Sequence, residues 1–117
     1  MAIQDKQAEH LLDGTSMNYY YQDGSGVKVK FTKGHFHFKW ILGPFKGAES
    51  TEEYKSRKLG DKIYVVNFFM ENKTFVTLIF NFNANVMCAS VLFTPGTEQE
   101  MVLFDGGIIE HLKLKEN

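Results

Sequence analysis

The sequence predicts an all-β protein: a single antiparallel up-and-down barrel of about eight or nine strands, preceded by a short helix. Runs of β-branched and aromatic residues alternate with a period of two. Clusters of Gly, Asp, Asn and Pro separate these runs at hairpin spacing, and no helical pattern lies between them. A meander of this length removes its edges by closing into a barrel. A chain of 117 residues is long enough for one domain, spanning residues 1–117.

The longest strand signal is a hairpin over residues 62–83, KIYVVNFFMENKTFVTLIFNFN. Side chains alternate across a strand, which gives this hairpin one wholly apolar face. That face consists of Tyr64, Val66, Phe68, Met70, Val76, Leu78, Phe80 and Phe82. The opposite face is half apolar and includes Val65, Phe69, Phe75 and Ile79. The first face predicts the barrel interior, and the second indicates that the outside of the hairpin also has a partner.

The other elements follow from local composition. Residues 3–12 are good helix formers that end at Asp13 and Gly14, which predicts the short helix. Alternating strands bounded by turn formers are predicted on both sides of the central hairpin. They cover residues 17–22, 27–32, 35–42, 52–58, 87–94, 98–104 and 108–115. The polar strand over residues 52–58 is typical of an edge or rim. The last two strands are predicted to form a hairpin around residues 105–107.

Composition excludes several classes of function. A net charge of -1 and a pI near 6.4 argue against non-specific nucleic-acid binding. Cys88 is the only cysteine, so it forms no intrachain disulfide and no cysteine metal cluster. No apolar run approaches the roughly 20 residues that a membrane helix needs, and the first residues do not resemble a secretory signal. We therefore expect a cytoplasmic protein that contacts neither nucleic acid nor a membrane.

The predicted interior combines many aromatic side chains with few polar groups, which is typical of a ligand cavity. Its expected apolar lining is Phe36, Phe38, Trp40, Phe68, Met70 and Phe80. Tyr19 and Tyr21 share one face of the first strand and could hold a carboxylate or a carbonyl, or could equally be core aromatics whose hydroxyls reach the rim. Glu110 shares a face with Ile108 and Leu112, which favours either a carboxylate in the cavity or one at the barrel mouth with its head in water.

His35 and His37 have a spacing that can chelate a metal ion. The apolar partners on the same strand occupy the alternate positions, so both histidines are expected on the outer face. The sequence therefore predicts neither a metal site nor a bound cofactor.

Three stretches carry a resemblance to a known family: residues 14–24 (GTSMNYYYQDG), 63–68 (IYVVNF) and 91–95 (VLFTP). Together they resemble the phenolic acid decarboxylases and the related MoaF-like proteins, both of which have a lipocalin-like barrel. Residues 52–67, from EEYK to LGDKIYVVN, are more similar to the MoaF-like branch. The resemblance implies that Tyr19 and Tyr21 correspond to a tyrosine pair that grips the substrate carboxylate in the decarboxylases.

The resemblance fails at two other positions. The decarboxylases also require an arginine after a flap and a glutamate at the end of the strand before the central turn. An ungapped comparison places these positions near Ala48 and on Met70, with Glu71 one residue too late. The resemblance therefore implies the barrel and its pocket, and it argues against decarboxylation of hydroxycinnamates.

Three functions compete at this point. The leading hypothesis is a small-molecule-binding barrel of the MoaF-like type that takes a small apolar or aromatic ligand. The second is a lyase on aromatic acids that keeps the tyrosine pair and uses Glu110 or Glu71 as its acid–base group. The third is a filled barrel that works as a non-catalytic homodimeric interaction protein. In each case we expect a homodimer through the outer face of the hairpin over residues 62–83.

Overall fold

The computed structural model describes residues 10–70 and 73–114, and eight strands run through this part of the chain. They are β1 Ser16–Tyr21, β2 Gly26–Thr32, β3 His35–Leu42, β4 Glu49–Gly60, β5 Ile63–Met70, β6 Thr74–Asn81, β7 Val86–Phe93 and β8 Met101–Lys113. Each strand pairs antiparallel with the next, and β8 pairs with β1. The predicted closed up-and-down barrel is therefore confirmed.

Side-chain alternation directs the predicted apolar rows into the barrel. On β5 and β6, Val66 and Phe80 are completely buried, and they belong to the row that the sequence assigned to the interior. Phe31 on β2 contacts the ring of Phe36 at a centroid distance of 5.0 Å and that of Phe80 at 6.1 Å. Rings from strands on opposite sides of the barrel thus meet at its centre. They fill the core at the end of the barrel where β1 begins.

Strand β4 is not the edge that its polar composition predicted. It pairs with β3 on one side and with β5 on the other. Tyr54 and Ser56 are buried in the barrel, whereas Lys55 and Arg57 are exposed on its outer face. The strand therefore alternates like the others, with every second side chain pointing inward. Its many charged residues made this alternation difficult to recognise in the sequence.

The predicted N-terminal helix lies largely outside the described residues, since the structure describes nothing before residue 10. Residues 10–13 form a turn. Within the described residues, no helix has the length and apolar character required to traverse a membrane.

The prediction of a final hairpin was wrong, because β8 runs without a break through residues 105–107. The barrel therefore has eight strands. Gly106 pairs with Cys88 and Gly107 pairs with Met87, in the middle of the β7–β8 ladder. A Cβ atom on Gly107 would lie 2.7 Å from the backbone oxygen of Tyr20. The glycine at this position permits the close approach of two strands and does not mark a turn.

One end of the barrel is closed by the residues that precede β1. The hydroxyl of the buried Tyr54 accepts a hydrogen bond from the Leu12 amide at 3.2 Å and donates one to the Asp13 carboxylate at 2.8 Å. The same carboxylate accepts a hydrogen bond from the Gly34 amide at 3.0 Å. Burial, followed by this contact with Asp13, raises the pKa of Tyr54. These bonds fix a plug at this end, and the open space of the barrel lies at the other.

Candidate functional site

A cavity of about 120 Å³ lies at the barrel end opposite the plug, where β1, β3, β5 and β7 end. It brings together seven of the nine residues that the sequence placed in the site. These are Tyr19, Tyr21, Phe36, Phe38, Trp40, Phe68 and Met70. The remaining lining is Val27, Thr74, Val76, Leu78, Val91 and Phe93. The cavity is therefore lined mostly by aromatic side chains. Three of its lining residues carry a hydroxyl group: Tyr19, Tyr21 and Thr74.

Phe80 and Glu110 do not line this cavity. Phe80 is completely buried deeper in the barrel, farther from the mouth than the cavity, and its ring centroid is 6.1 Å from that of Tyr19. Glu110 is exposed on the outer face of β8, whereas its neighbour Ile109 is buried. The expected alternation breaks at His111, which has a positive φ of 54° where the β1–β8 register shifts. Ile108 shares the face of Glu110, as predicted, but it is 61% exposed, so this face is the outer one. The irregularity at His111 places Leu112 on the other face, against the core.

Tyr19 and Tyr21 form a linked pair on the inner face of β1. Their rings meet edge to face with centroids 5.5 Å apart. Each hydroxyl affects the pKa of the other, so the two oxygens lie close together. Tyr19 has only 4% of its surface exposed, and Tyr21 lies nearer the mouth. Two phenols that share one hydrogen bond keep one proton for an acceptor in the cavity, and Tyr21 is the better placed of the two.

Both phenols are held in their neutral form. Burial raises the pKa of Tyr19 well above its ordinary value, and the neighbouring Tyr21 adds to this effect. Burial also raises the pKa of Tyr21 to about 12, against the opposing effect of the neighbouring Tyr19 hydroxyl. The carboxylates of Asp105 and Asp23 raise it further. At neutral pH the pair therefore presents a hydrogen-bond donor and no negative charge of its own.

Trp40 forms one side of the cavity mouth. Its ring stacks on that of Tyr21, with centroids 6.1 Å apart and planes inclined by 28°. Phe45, on the loop between β3 and β4, covers Trp40 from outside at 5.4 Å. Deeper in the cavity, Phe36 and Phe68 stack at 4.7 Å. Flat ring faces on several sides suit a planar guest better than a branched one.

The sequence matches the model of the MoaF N-terminal domain over residues 6–92. The chain belongs to the MoaF N-terminal domain family. No curated protein matches it significantly. A crystal structure from Burkholderia vietnamiensis, described provisionally as a beta-lactamase, has 17% sequence identity and a TM-score of 0.76. The alignment covers 85% of this chain and 93% of that one. At this identity the likeness shows the barrel fold alone.

Two positions distinguish the cavity of this MoaF-family barrel from that of the decarboxylases to which the sequence was compared. Met70, where the comparison expected a glutamate, lines the cavity with a thioether. Ala48, near the expected arginine, is exposed on the loop before β4. Neither position supplies a charged group to the described lining.

Thr74 is a lining residue that the sequence analysis missed. It was not named among the lining residues expected from the sequence; it is the first residue of β6 and pairs with Met70. Only 1% of its surface is exposed, and its Oγ1 has no hydrogen-bond partner in the described structure. Val76, two residues later, was assigned to the inner face of the same strand. Because side chains two residues apart share a face, Thr74 could have been assigned to the inner face as well.

Asp105 is a second missed residue, because the sequence placed it in a turn. It pairs with the completely buried Ala89, and directly paired residues share a face of the sheet. The side chain of Asp105 is therefore on the inner side of β8, where its Oδ1 accepts a hydrogen bond from the Gly106 amide at 2.8 Å. This position explains its electrostatic effect on Tyr21.

The two histidines of β3 lie on the outer face, where the alternation predicted them. His35 is exposed, and the Nδ1 atom of His37 is 2.8 Å from the hydroxyl of Thr51. Across residues 10–70 and 73–114, no three metal-binding side chains come together.

Proposed function

We propose that this MoaF-family barrel binds one small aromatic molecule in the cavity beneath Trp40. The observation that carries the proposal is the Tyr19–Tyr21 pair, which offers one available hydrogen-bond donor inside an otherwise aromatic enclosure. Buried polar groups need partners, and a ligand with a hydrogen-bond acceptor would supply one. A barrel filled only for packing would gain nothing from a paired phenol at the edge of an open cavity.

The size of the cavity restricts the ligand. Cavities of about 150 Å³ hold benzene, whereas drug-sized ligands occupy about 300 Å³ or more. A cavity of about 120 Å³ therefore suits a single aromatic ring, with any short substituent extending into the mouth beside Trp40. A long fatty acid or a fused polycyclic compound is too large for it.

The lyase hypothesis receives no specific support. The two tyrosines match the decarboxylase pair, but Met70 and Ala48 replace the charged groups that such chemistry needs. Of the two glutamates expected to act as the acid–base group, Glu110 points away from the cavity, and Glu71 lies outside the described residues. We therefore propose binding without catalysis.

Fluorescence of Trp40, the only tryptophan, provides a direct test. Titration with benzaldehyde should change the emission in a saturable way. Toluene has the same shape without the acceptor and should bind more weakly. Removing both hydroxyls (Tyr19→Phe with Tyr21→Phe) should weaken benzaldehyde binding about fivefold and leave toluene binding unchanged, since a net hydrogen bond contributes about 1 kcal/mol. No saturable response to either compound would refute the proposal.

A matched pair of substitutions separates the cavity from the surface. Val27 lines the cavity, and its neighbour Lys28 is exposed on the outer face. Val27→Phe should fill the space and abolish benzaldehyde binding, while Lys28→Phe should leave it intact. Thermal unfolding of both variants shows that they are folded. Equal binding by the two variants would place the ligand elsewhere.

We also propose that the protein forms a homodimer, as expected from its sequence, through the outer face of β5 and β6 extended over β7 and β8. Strands β5, β6 and β7 contain no charged residue. Phe69 is 57% exposed on β5, and Phe104 is 79% exposed on β8. An apolar surface with no charge on β5, β6 and β7 can face its own copy about a two-fold axis without repulsion between like charges over these strands.

The charge distribution supports a second copy as the occupant of this face. A stable interface buries about 800 Å² per partner, which is about a tenth of the 7685 Å² of accessible surface. The opposite half of the barrel carries outward charges, including Lys28, Lys39 and Lys55. An exposed apolar half beside a charged half is a common mark of an interaction surface.

A further inference from the structure

Thr74 is part of the cavity wall that faces the tyrosines, and its side chain carries a buried hydroxyl. Strand β6 is three strands away from β1 around the eight-stranded barrel. The Oγ1 atom of Thr74 is buried without a partner, although the residue is 99% covered. An unpaired buried hydroxyl destabilises a protein by about 1–3 kcal/mol. A ligand with a polar group at its far end would supply the missing partner.

The charges near the cavity act against an anionic ligand. Among the described residues, no Lys, Arg or His lines it. Lys46 and Lys73, on turns at the same end, are exposed and do not belong to the lining. In contrast, Asp105 points to the inner side of β8, close enough to the Tyr21 hydroxyl to affect it. An anion that leaves water for this site would lose its hydration, gain no countercharge and meet a negative group.

From these two observations we infer that the cavity selects an uncharged single-ring molecule with polar groups at both ends. One end is an acceptor, such as an amide or ketone oxygen, for the Tyr21 hydroxyl. The other is a hydroxyl that pairs with Thr74. The inference depends on the proposed binding function and extends it to the charge and the shape of the ligand.

The tyrosine pair therefore acts differently here from a carboxylate clamp. A carboxylate needs a cation or several donors to compensate for the loss of water. Tyr21 offers one neutral donor, which matches a neutral carbonyl. The Tyr19 hydroxyl lies close enough to affect the pKa of Tyr21, so the two phenols form one neutral polar group in the cavity wall.

Three compounds of nearly equal size test the inference by titration of Trp40 fluorescence at neutral pH. p-Hydroxybenzamide carries both polar ends and no charge, p-hydroxybenzoate has the same shape with a negative charge, and benzamide lacks the second polar end. We expect p-hydroxybenzamide to bind at least tenfold more tightly than p-hydroxybenzoate. Benzamide should bind several-fold more weakly than p-hydroxybenzamide.

Three substitutions test which residues cause these differences in affinity among the compounds. Thr74→Val should weaken p-hydroxybenzamide binding about tenfold and leave benzamide binding within about twofold, which corresponds to one net hydrogen bond. Asp105→Asn should reduce the preference for the amide over the carboxylate several-fold. Asp61→Asn, which changes an exposed aspartate at the plugged end, should leave that preference unchanged.

The outcomes separate the inference from the function on which it rests. If p-hydroxybenzoate binds as tightly as p-hydroxybenzamide, or if Thr74→Val affects benzamide as much as p-hydroxybenzamide, the inference is overturned and the binding function stands. If none of the three compounds nor benzaldehyde binds, the proposed function fails and the inference fails with it.

Discussion

The backbone oxygen of Tyr20 lies 2.7 Å from the point that a Cβ atom on Gly107 would occupy. Because the obstacle is backbone, a side chain there would push β1 and β8 apart. Strand β1 contributes the tyrosine pair to the cavity wall, and β8 carries Asp105 on its inner side. The close contact of the two strands therefore sets the position of these groups.

Gly107→Ala should destabilise the protein by about 1–3 kcal/mol, because the strands must separate to admit the methyl group. Gly106→Ala is the matched control, since a Cβ atom there would be 3.4 Å from the nearest atom, the Met87 oxygen. The control should change the free energy of unfolding by less than about 1 kcal/mol. Urea unfolding of the two variants measures the difference, and equal effects would show that the contact with Tyr20 is not limiting.

These glycines also show where sequence patterns lose information. Asp105, Gly106 and Gly107 have the composition of a turn, and local composition cannot reveal that Tyr20, far away in the chain, crowds one of them. The inward orientation of Val66 and Phe80 could be predicted, because both residues belong to long runs in which apolar side chains alternate regularly. Glu110 was misplaced because Ile109 faces the interior and Ile108 does not, and because the irregularity at His111 places Leu112 on the other face from Glu110. Fold class is thus encoded locally, whereas the cavity edges depend on long-range contacts.

Thr74→Val should increase the stability of the ligand-free protein by about 1 kcal/mol. The substitution keeps the shape of the side chain and removes a buried hydroxyl that has no partner. The same residue is expected to contribute to ligand binding, so this change would exchange function for stability. The midpoint of urea unfolding without ligand is the measurement.

Thr77→Val, on the same strand, is the control for Thr74→Val. The Thr77 hydroxyl accepts a hydrogen bond from the Asn67 side chain at 3.1 Å on the outer face. Its loss should lower stability or leave it unchanged. A decrease of similar size in both variants would show that the Thr74 hydroxyl has a stabilising partner in solution.

Stability should fall between about pH 10 and pH 12. A tyrosine has a pKa near 10 in the unfolded chain, whereas burial raises the pKa of Tyr21 to about 12 in the fold. Below pH 10 both states hold the proton, so the contribution is complete; above it the unfolded state ionises first and stability is lost until the folded pKa is passed. Tyr21 alone should account for about 2 kcal/mol of the decrease. Tyr21→Phe should make the fall in unfolding free energy shallower over this range, and an identical pH profile would contradict the raised pKa.

A charge at Phe104 should dissociate the proposed dimer. Phe104 is 79% exposed in the single chain, so Phe104→Glu should cost the monomer little, yet a two-fold interface would bring both carboxylates into an apolar contact. Sedimentation velocity should show a dimer for the natural sequence and a monomer for this variant, with similar thermal unfolding at low concentration.

Lys30→Glu is the control. It reverses a charge on the opposite half of the barrel, where Lys30 is exposed, and this variant should remain dimeric. Because the cavity is lined from within one chain, the monomeric variant should still bind p-hydroxybenzamide. A monomer for the natural sequence at high concentration would leave the apolar face without this partner.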